Sequence, residues 1–360
     1  MKINVLTNYT EPNSRAFNTP LALASGDLKR EGYKINFIFN ISKKLFNCDA
    51  LFINSNFFRY FWKNNKNEIF KCLETASEKK IKIFWFDTTD STWITQFEVM
   101  PFVDKFLKSH ILKEKSLYLK NFRTGRIFTD FFDSIYNAGE KEEKYPHTEK
   151  KYLEKISISW APCFENYNQN RYSFWSKVSN RLKPKTVNFM PEKLDIRFVP
   201  PQKQRSVEIS ARFGLSHSRP SVVAHRKAAA DILHERGVDT SRIPLPDYFE
   251  EMRNAKISVS PFGVGEFCYR DYESIVCGAT LLKPDMSHLE TWPDFYKDNE
   301  TYIAHKWDLS DLNEKIDFLL NNDDYRLNIA ENAAGLYSNA LSASGIKKFS
   351  ARVMDILDYN

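Results

Sequence analysis

Short apolar runs alternate with amphipathic segments along the chain, and this alternation predicts an α/β protein. In the first half, strands are predicted at residues 2–6, 34–39, 49–54, 81–86 and 155–160. Residues 21–31 and 68–79 between them carry apolar positions at helical spacing. The strands are apolar at nearly every position, as in parallel sheets covered by helices on both faces. We therefore predict a doubly wound sheet.

The second half repeats this alternation. Its strands are predicted at residues 206–210, 257–260, 279–282 and 301–304, and its helices at 221–236, 247–255, 309–320, 323–350 and 346–357. Between the halves, residues 181–201 hold four prolines and no clear period. Such a segment is typical of an inter-domain connector. We predict domains at 1–195 and 196–345, followed by a terminal helix at 346–360.

Residues 256–300 carry the clearest chemistry. A strand enters a turn with Pro261, Gly263 and Gly265, then a helix predicted at 266–277 and a further strand. Free N–H groups at a helix N-terminus, reached through glycines, favour phosphate binding. Arg270, Asp271 and Glu273 follow at the same end.

The guanidinium and carboxylate groups of these three residues are of the types that bind nucleotides. Arginine can pair with phosphate oxygens, and a carboxylate can accept hydrogen bonds from ribose hydroxyls. The stretch therefore predicts a nucleotide-diphosphate cradle, with no cofactor beyond the nucleotide itself. An ordinary crossover with a solvated charged face is the alternative.

The same stretch resembles the donor-binding signature of GT-B glycosyltransferases. Glu273 matches its second acidic residue, followed by Gly278 and a strand. The resemblance implies that Glu273 holds the ribose and that Glu266 contacts the transferred sugar, although the acidic spacing is one residue shorter than usual. Residues 86–92 and 270–293 also resemble bacterial polysaccharide-cluster glycosyltransferases.

This resemblance implies two Rossmann-like lobes facing a cleft, with the terminal helix crossing back to the first lobe. It places a second phosphate contact in the first strand-loop-helix of the second lobe. Arg212 and Arg219 are the candidates there, with His217 as a sugar contact. Arg226 lies deeper in the following helix, and we expect it to be structural.

The predicted strand at 81–86 ends in a polar loop that contains Asp87 and Asp90. Ligands of open α/β sheets bind at this end of the strands. Asp90 is therefore a candidate general base for an acceptor hydroxyl, and helix capping is the alternative. No metal site is predicted, because the two aspartates lack D-x-D spacing and no nearby histidine completes a set.

Composition narrows the function classes. The net charge of +6 is mild for 360 residues, and basic residues are interspersed with acidic ones, so a nucleic-acid partner is not predicted. The five cysteines show neither zinc-site nor disulfide spacing. Without an apolar signal core or spanning segment, we expect a cytoplasmic protein. A lysine-rich helix at 102–120 would contact an anionic membrane, or simply face solvent.

These observations predict a metal-independent glycosyltransferase. It would move a sugar from a nucleotide-sugar donor to a glycan or lipid-linked acceptor in surface polysaccharide synthesis. Asp90 would act as base if the reaction inverts the anomeric centre, and Glu266 as nucleophile if it retains it. The alternatives are a nucleotide-sugar epimerase on the same scaffold and a non-catalytic nucleotide-sugar or glycan-binding subunit.

Overall fold

The computed structural model describes residues 1–8, 12–93, 95–143, 145–167, 194 and 196–358. Within them the chain forms two α/β lobes, each built on a parallel sheet. Most of the predicted connector at 181–201, namely residues 181–193 and 195, lies outside the described residues. The domain boundaries therefore stay a prediction.

The first lobe holds a six-stranded sheet in the order β2-β1-β3-β4-β5-β7, with every neighbouring pair parallel. Its strands are β1 (Lys2–Leu6), β2 (Lys34–Ile38), β3 (Ala50–Asn54), β4 (Lys82–Asp87), β5 (Lys105–Lys108) and β7 (Ile156–Ile158), and a short β6 (His110–Leu112) lies apart. Every residue of β3 is buried. This is what a central strand covered on both faces requires.

Helices cover both faces of this sheet. They are α1 (Pro12–Leu23), α2 (Ser25–Arg30), α3 (Arg59–Asn64) and α4 (Lys66–Glu78). A further helix, α5 (Ile127–Tyr136), packs against the second lobe. Short 3-10 turns lie at Ser55–Phe58, Phe97–Val99, Lys115–Leu119 and Lys150–Lys155.

The second lobe holds a four-stranded parallel sheet in the order β12-β10-β9-β8. Its strands are β8 (Val207–Ser210), β9 (Ala255–Val259), β10 (Thr280–Pro284) and β12 (Ile303–His305), with a separate β11 (Leu289–Thr291). Its helices are α6 (Pro220–Glu235), α7 (Leu245–Asn254), α8 (Tyr269–Val276), α9 (Leu312–Asn321) and α10 (Asp323–Leu341). The two sheets confirm the predicted fold class of two Rossmann-like lobes.

The last helix, α11 (Ala343–Leu357), returns to the first lobe, as predicted. Arg352 donates from Nη2 to the carbonyl of Ile158 at 2.6 Å. The Phe349 ring lies 4.9 Å from that of Trp160. The first lobe is therefore completed by the C-terminal end of the chain.

Two further contacts join the lobes. Strand β6 pairs with β11 in an antiparallel ladder, with Ile111 opposite Glu290. Helices α5 and α6 pack together, and Ser221 at the start of α6 donates from its hydroxyl to Glu140 at 2.6 Å. One hydrophobic cluster extends through both lobes. These contacts fix the two sheets relative to each other.

The helix predicted at 21–31 is divided between the end of α1 and α2, and three further predicted elements differ in the structure. The prediction of a lysine-rich helix at 102–120 is wrong, because this segment forms β5, β6 and a 3-10 turn. Lys105 is buried, and Lys108 is fully buried against Asp87 at 2.8 Å. The alternation of lysines with apolar residues therefore reflects strands rather than a helix, and Lys105 and Lys108 do not face solvent or lipid.

The other two differences concern helix ends. The prediction of a continuous helix at 323–350 is wrong. Ser342 has extended backbone, and its hydroxyl accepts a hydrogen bond from Gly345 N, so a new helix starts there. The helix predicted from residue 266 begins at Tyr269. Among the described residues, no helix is long and apolar enough to cross a membrane.

Candidate functional site

A cavity of about 420 Å³ opens where the strands of the second lobe end. Its lining comes from the loops after β8 and β9, from α6, α7 and the loop before it, from α8, and from Asp90 of the first lobe. The lining residues are Asp90, Arg212, Arg226, Arg242, Ile243, Leu245, Tyr248, Val264, Gly265, Phe267, Cys268, Tyr269, Arg270 and Glu273. The C-terminal ends of parallel strands are where open α/β sheets bind ligands. We call it the large cavity.

Positive charge dominates the large cavity. Four arginines line it against two carboxylates, Asp90 and Glu273. Arg270 Nε is buried and has no hydrogen-bond partner among the described residues. Buried polar groups are normally paired, so an orphaned guanidinium N–H on a cavity wall fits an anionic ligand.

Arg226 and Arg270 are held by backbone carbonyls rather than by carboxylates. Arg226 donates to the carbonyls of Phe262 and Phe213, at 3.1 and 3.2 Å. Arg270 donates from Nη2 to the carbonyl of Arg212 at 2.9 Å. These bonds orient the two guanidinium groups and leave their charge uncompensated by these partners.

Arg212 is arranged differently. Its guanidinium bonds Glu251 through Nε and Nη2, at 2.9 and 2.6 Å to Oε2, and Asp239 through Nη1 at 2.6 Å. The hydrogen bond to Glu251, despite burial, raises the pKa of Arg212. Arg212 thus lines the large cavity, but much of its charge is already balanced, and its predicted contact with a diphosphate stays a prediction.

The N-terminus of α8 lies on the large cavity and is fixed from below by Asp271. This buried carboxylate accepts from the backbone N–H of Cys268 at 3.1 Å and from the hydroxyls of Ser260 and Tyr296 at 2.6 and 2.7 Å. Lys283 Nζ lies 3.2 Å away. Asp271 was predicted as a donor contact, and the structure places its carboxylate in this buried network instead of the cavity lining.

Glycines bring the turn before α8 against the first lobe. A Cβ on Gly265 would lie 1.6 Å from the carbonyl oxygen of Asp90, closer than any side chain permits. A Cβ on Gly263 would lie 3.3 Å from Arg226 Nη2. Gly265 lines the large cavity, whereas Gly263 lies behind it next to an arginine of the lining.

Glu273 lies on the large cavity beside apolar residues. It is buried, and its Oε2 accepts from the hydroxyl of Tyr248 at 2.7 Å. Ile243 and Leu245 line the same wall. A carboxylate beside an apolar and aromatic surface can hold sugar hydroxyls while a flat ring stacks nearby.

Two predicted donor contacts lie elsewhere. Arg219 caps α6 and reaches the first lobe, where Nη1 donates to the carbonyl of Thr124 at 3.0 Å and the guanidinium pairs with Glu140 and Glu143. His217 accepts from Arg219 N at 3.1 Å. The structure therefore puts this pair at the inter-lobe contact, away from the large-cavity lining.

A second cavity of about 40 Å³, the small cavity, lies on the first-lobe side. It is lined by Asn13, Ala16, Phe17, Thr88, Thr89, Asp90, Ser109, His110, Ser159, Trp160, Pro162, Phe267, Cys268, Tyr269 and Tyr272. Four of these residues also line the large cavity: Asp90, Phe267, Cys268 and Tyr269. The two cavities are therefore neighbours.

Asp90 lies at this shared boundary. Its exposed carboxylate accepts from Asn13 Nδ2 at 2.6 Å, and Asn13 in turn accepts from the hydroxyl of Tyr269 at 2.9 Å. The chain thus positions a first-lobe carboxylate against the start of α8. Its predicted roles as base or cap stay predictions.

Glu266 is buried where the lobes meet. It accepts from the hydroxyl and the backbone N–H of Thr92, at 2.5 and 3.2 Å, and lies 3.4 Å from His110 Nε2. Burial acts to raise the pKa of Glu266, but His110 and Thr92 outweigh it and lower the pKa to about 2. Its predicted sugar contact or nucleophilic role stays a prediction.

Sequence reasoning missed three features of these cavities. Arg226 was expected to be structural, and Arg242 and the Ser109–His110 pair were not considered. The Pro-Leu-Pro segment at residues 244–246 hinted at a loop beside the site, because it fixes the turn into α7. For Ser109 and His110 the pattern of the segment pointed to a helix, which hid their position at a strand end.

Solved glycosyltransferase structures resemble the chain over nearly its whole length. HepE of Anabaena in complex with UDP shares 10% identity, with 99% of each chain covered and a TM-score of 0.44. A glycosyltransferase from Rickettsia africae shares 10% identity, with 100% of this chain and 99% of that one covered and a TM-score of 0.44. An α-glucosyltransferase in complex with UDP-glucose and DNA containing an abasic site shares 11%, with 99% and 100% covered and a TM-score of 0.43.

No family model matches the chain, and no curated protein matches it either. Because the three TM-scores are below 0.5, these solved structures do not establish a function for this chain. What the chain itself presents is an arginine-lined cavity joined to a small aromatic one, between two Rossmann-like lobes.

Proposed function

We propose that the protein is a glycosyltransferase that uses a nucleotide-sugar donor. The observation that carries this proposal is the charge of the large cavity, where four arginines meet two carboxylates at the strand ends of a Rossmann-like lobe. A nucleoside diphosphate supplies the matching negative charge. The volume of about 420 Å³ is within the range of small-molecule sites.

Within this proposal, the diphosphate lies against Arg226, Arg242 and Arg270 and the N-terminus of α8. Glu273 accepts hydrogen bonds from the ribose hydroxyls, and the base lies on the wall of Ile243, Leu245 and Tyr248. The arginines stabilise the negative charge that develops on the diphosphate as the glycosidic bond breaks. Independence of a metal ion is part of the proposal and rests on these fixed positive groups.

The acceptor occupies the first-lobe side. Phe17 and Trp160 form a stacked pair there, with ring centroids 5.1 Å apart. Asp90, which lines both cavities, contacts an acceptor hydroxyl. A glycan or lipid-linked glycan is the proposed acceptor, supported by these aromatic rings and by the resemblance to polysaccharide-cluster enzymes at residues 86–92 and 270–293.

A thermal-shift panel tests the donor site. The purified protein is mixed with UDP, GDP, CDP, ADP, dTDP and CMP at millimolar concentration. We expect one nucleoside diphosphate to raise the unfolding midpoint by several degrees, since a ligand bound to the native state stabilises it by mass action. A folded protein that responds to none of the six would overturn the proposal.

Release of the nucleoside diphosphate, measured from the matching nucleotide sugar, separates the alternatives. An acceptor-dependent release identifies a transferase. Binding without any release would indicate the non-catalytic subunit, and interconversion of the donor sugar without release would indicate an epimerase.

A further inference from the structure

Ser109 and His110 follow strand β5 and both line the small cavity. The Ser109 hydroxyl lies 2.9 Å from His110 Nδ1. This is within the range at which a hydroxyl can pass its proton to an imidazole. Ser109 is half-buried, whereas His110 is almost wholly buried.

The other face of the imidazole meets the second lobe. His110 Nε2 lies 3.4 Å from Glu266 Oε2, and the Phe267 ring is stacked on the imidazole with 4.1 Å between centroids. His110 Nε2 makes no hydrogen bond among the described residues, but the negative charge of Glu266 3.4 Å away favours the tautomer that carries its proton there. In that tautomer Nδ1 accepts from Ser109. Thr92 fixes the same carboxylate through its hydroxyl and its backbone N–H.

Hydroxyl, imidazole and carboxylate thus form one line from the small cavity into the inter-lobe contact. A nucleophile or proton donor, a base and a third group that orients the base make up the general pattern of an activated hydroxyl. Here the base comes from the first lobe and its carboxylate from the second. The line exists only when the lobes are packed as described.

We infer that Ser109, His110 and Glu266 form a proton relay for the acceptor hydroxyl. This inference rests on the proposed function. The acceptor oxygen forms a bond to the anomeric carbon while the bond from that carbon to the diphosphate breaks, and the bonding electron pair leaves with the diphosphate. The acceptor proton passes to Ser109 Oγ, and the proton of Ser109 passes to His110 Nδ1. Glu266 balances the charge of the resulting imidazolium.

The relay assigns different roles to the polar groups of the small cavity. Ser109 is the catalytic residue, because it touches the acceptor. His110 and Glu266 act through it and are positioning residues. Asp90, whose carboxylate is exposed and bonded to Asn13, then binds the acceptor rather than its leaving proton.

The test uses the full-length protein with the nucleotide sugar that matches the thermal-shift result. Simple methyl glycosides serve as acceptors, and diphosphate release is followed with and without them. Ser109→Ala and His110→Gln are expected to lower kcat for transfer by about 100-fold, the range of general acid–base catalysis. The donor KM and the nucleotide-induced thermal shift should stay at wild-type values.

The double variant decides whether the two residues act together. If both residues carry one proton, Ser109→Ala combined with His110→Gln should be no slower than the slower single variant, because residues that act as a unit are not additive. Glu266→Gln should lower kcat by about tenfold, with donor KM unchanged. A purely structural role would instead lower the unfolding midpoint and change KM.

Matched controls come from exposed residues of the same lobe. Ser116→Ala and His147→Gln remove the same groups at exposed positions, where they bond Glu114 and Asn121, respectively. Both should transfer like wild type. An active wild type with an unimpaired Ser109→Ala variant, or single losses that multiply in the double variant, would overturn the relay and leave the proposed function standing. A wild type that binds no nucleotide would overturn the proposed function itself.

Discussion

The two cavities lie side by side but are built from opposite chemistry. The large cavity presents guanidinium groups held by backbone carbonyls, as with Arg226 and Arg270. The small cavity presents aromatic rings and neutral polar groups, with Asp90 its single carboxylate among the lining residues. Fixed positive charge suits a diphosphate, whereas rings and hydroxyls suit a sugar. Under the proposed function, the donor therefore belongs to the large cavity and the acceptor to the small one.

Gly265 offers the strongest way to break this arrangement. Gly265→Ala would place a methyl group 1.6 Å from the carbonyl oxygen of Asp90, so the backbone at residue 265 or at residue 90 would have to move. We expect the unfolding free energy to fall by about 3 kcal/mol or more and transfer to be lost. Urea denaturation measures the first effect, and diphosphate release measures the second.

Gly335→Ala is its control. Gly335 lies in helix α10 with no atom within 4 Å of an added Cβ, so the change should be neutral or stabilise by up to about 1 kcal/mol. If Gly265→Ala were equally harmless, Gly265 could not lie as close to the carbonyl oxygen of Asp90 as described.

Acid should weaken the packing that holds the cavities together. His225 on α6 is stacked on Phe132 of α5 with 3.9 Å between ring centroids. Burial, with a smaller effect of His305, lowers the pKa of His225 to about 3, and burial lowers that of His305 to about 4. Both imidazoles are therefore neutral in the native state, while an unfolded histidine binds a proton below about 6.5.

The contribution of these two histidines to the unfolding free energy is thus fully present above pH 6.5 and is lost as the pH drops from there towards 4. Each histidine contributes up to about 1.4 kcal/mol per pH unit across this window. Urea titrations between pH 7.5 and 4.5 measure the slope. His225→Phe should reduce the slope; an unchanged slope would mean that His225 binds its proton equally well in both states.

Glu273 sharpens the assignment of the donor side. Glu273→Ala should weaken binding of the responding nucleoside diphosphate by about 1–3 kcal/mol, because two ribose hydroxyls lose a buried acceptor. Isothermal titration calorimetry measures it. Glu250→Ala, on the exposed face of α7, is the control and should bind like wild type. Wild-type affinity in Glu273→Ala would remove this residue from the donor site.

Substitution of Asp90 has the smallest expected effect, and it tests whether this residue binds the acceptor. Asp90→Asn should raise the acceptor KM by about tenfold, the loss of one hydrogen bond to a charged group. Donor affinity should be unchanged. Steady-state kinetics with varied acceptor measure it, with the exposed Asp355→Asn as control. A loss confined to kcat would instead make Asp90 the base and contradict the relay.

Most elements could be predicted from the sequence, because buried parallel strands such as Ala50–Asn54 are apolar throughout most of their length. The sequence also placed Gly265, Arg270 and Glu273 together, and all three line the large cavity, because their spacing follows one strand, turn and helix. Their role as donor contacts stays a prediction. Local pattern could not place Arg219, whose partners lie about 80 and 95 residues away. It also misread Lys108, which is buried because Asp87 on the neighbouring strand neutralises it.

The return of helix α11 to the first lobe has a consequence for synthesis of the chain. Phe349 and Arg352 contact Trp160 and Ile158, so this part of the first lobe stays uncovered until residues 343–357 have left the ribosome. Strand β6 likewise has no pairing partner until β11 has been synthesised. An isolated first lobe would present uncovered apolar surface and an unpaired strand edge, the features that drive aggregation. We therefore expect fragments that end before residue 289 to be insoluble.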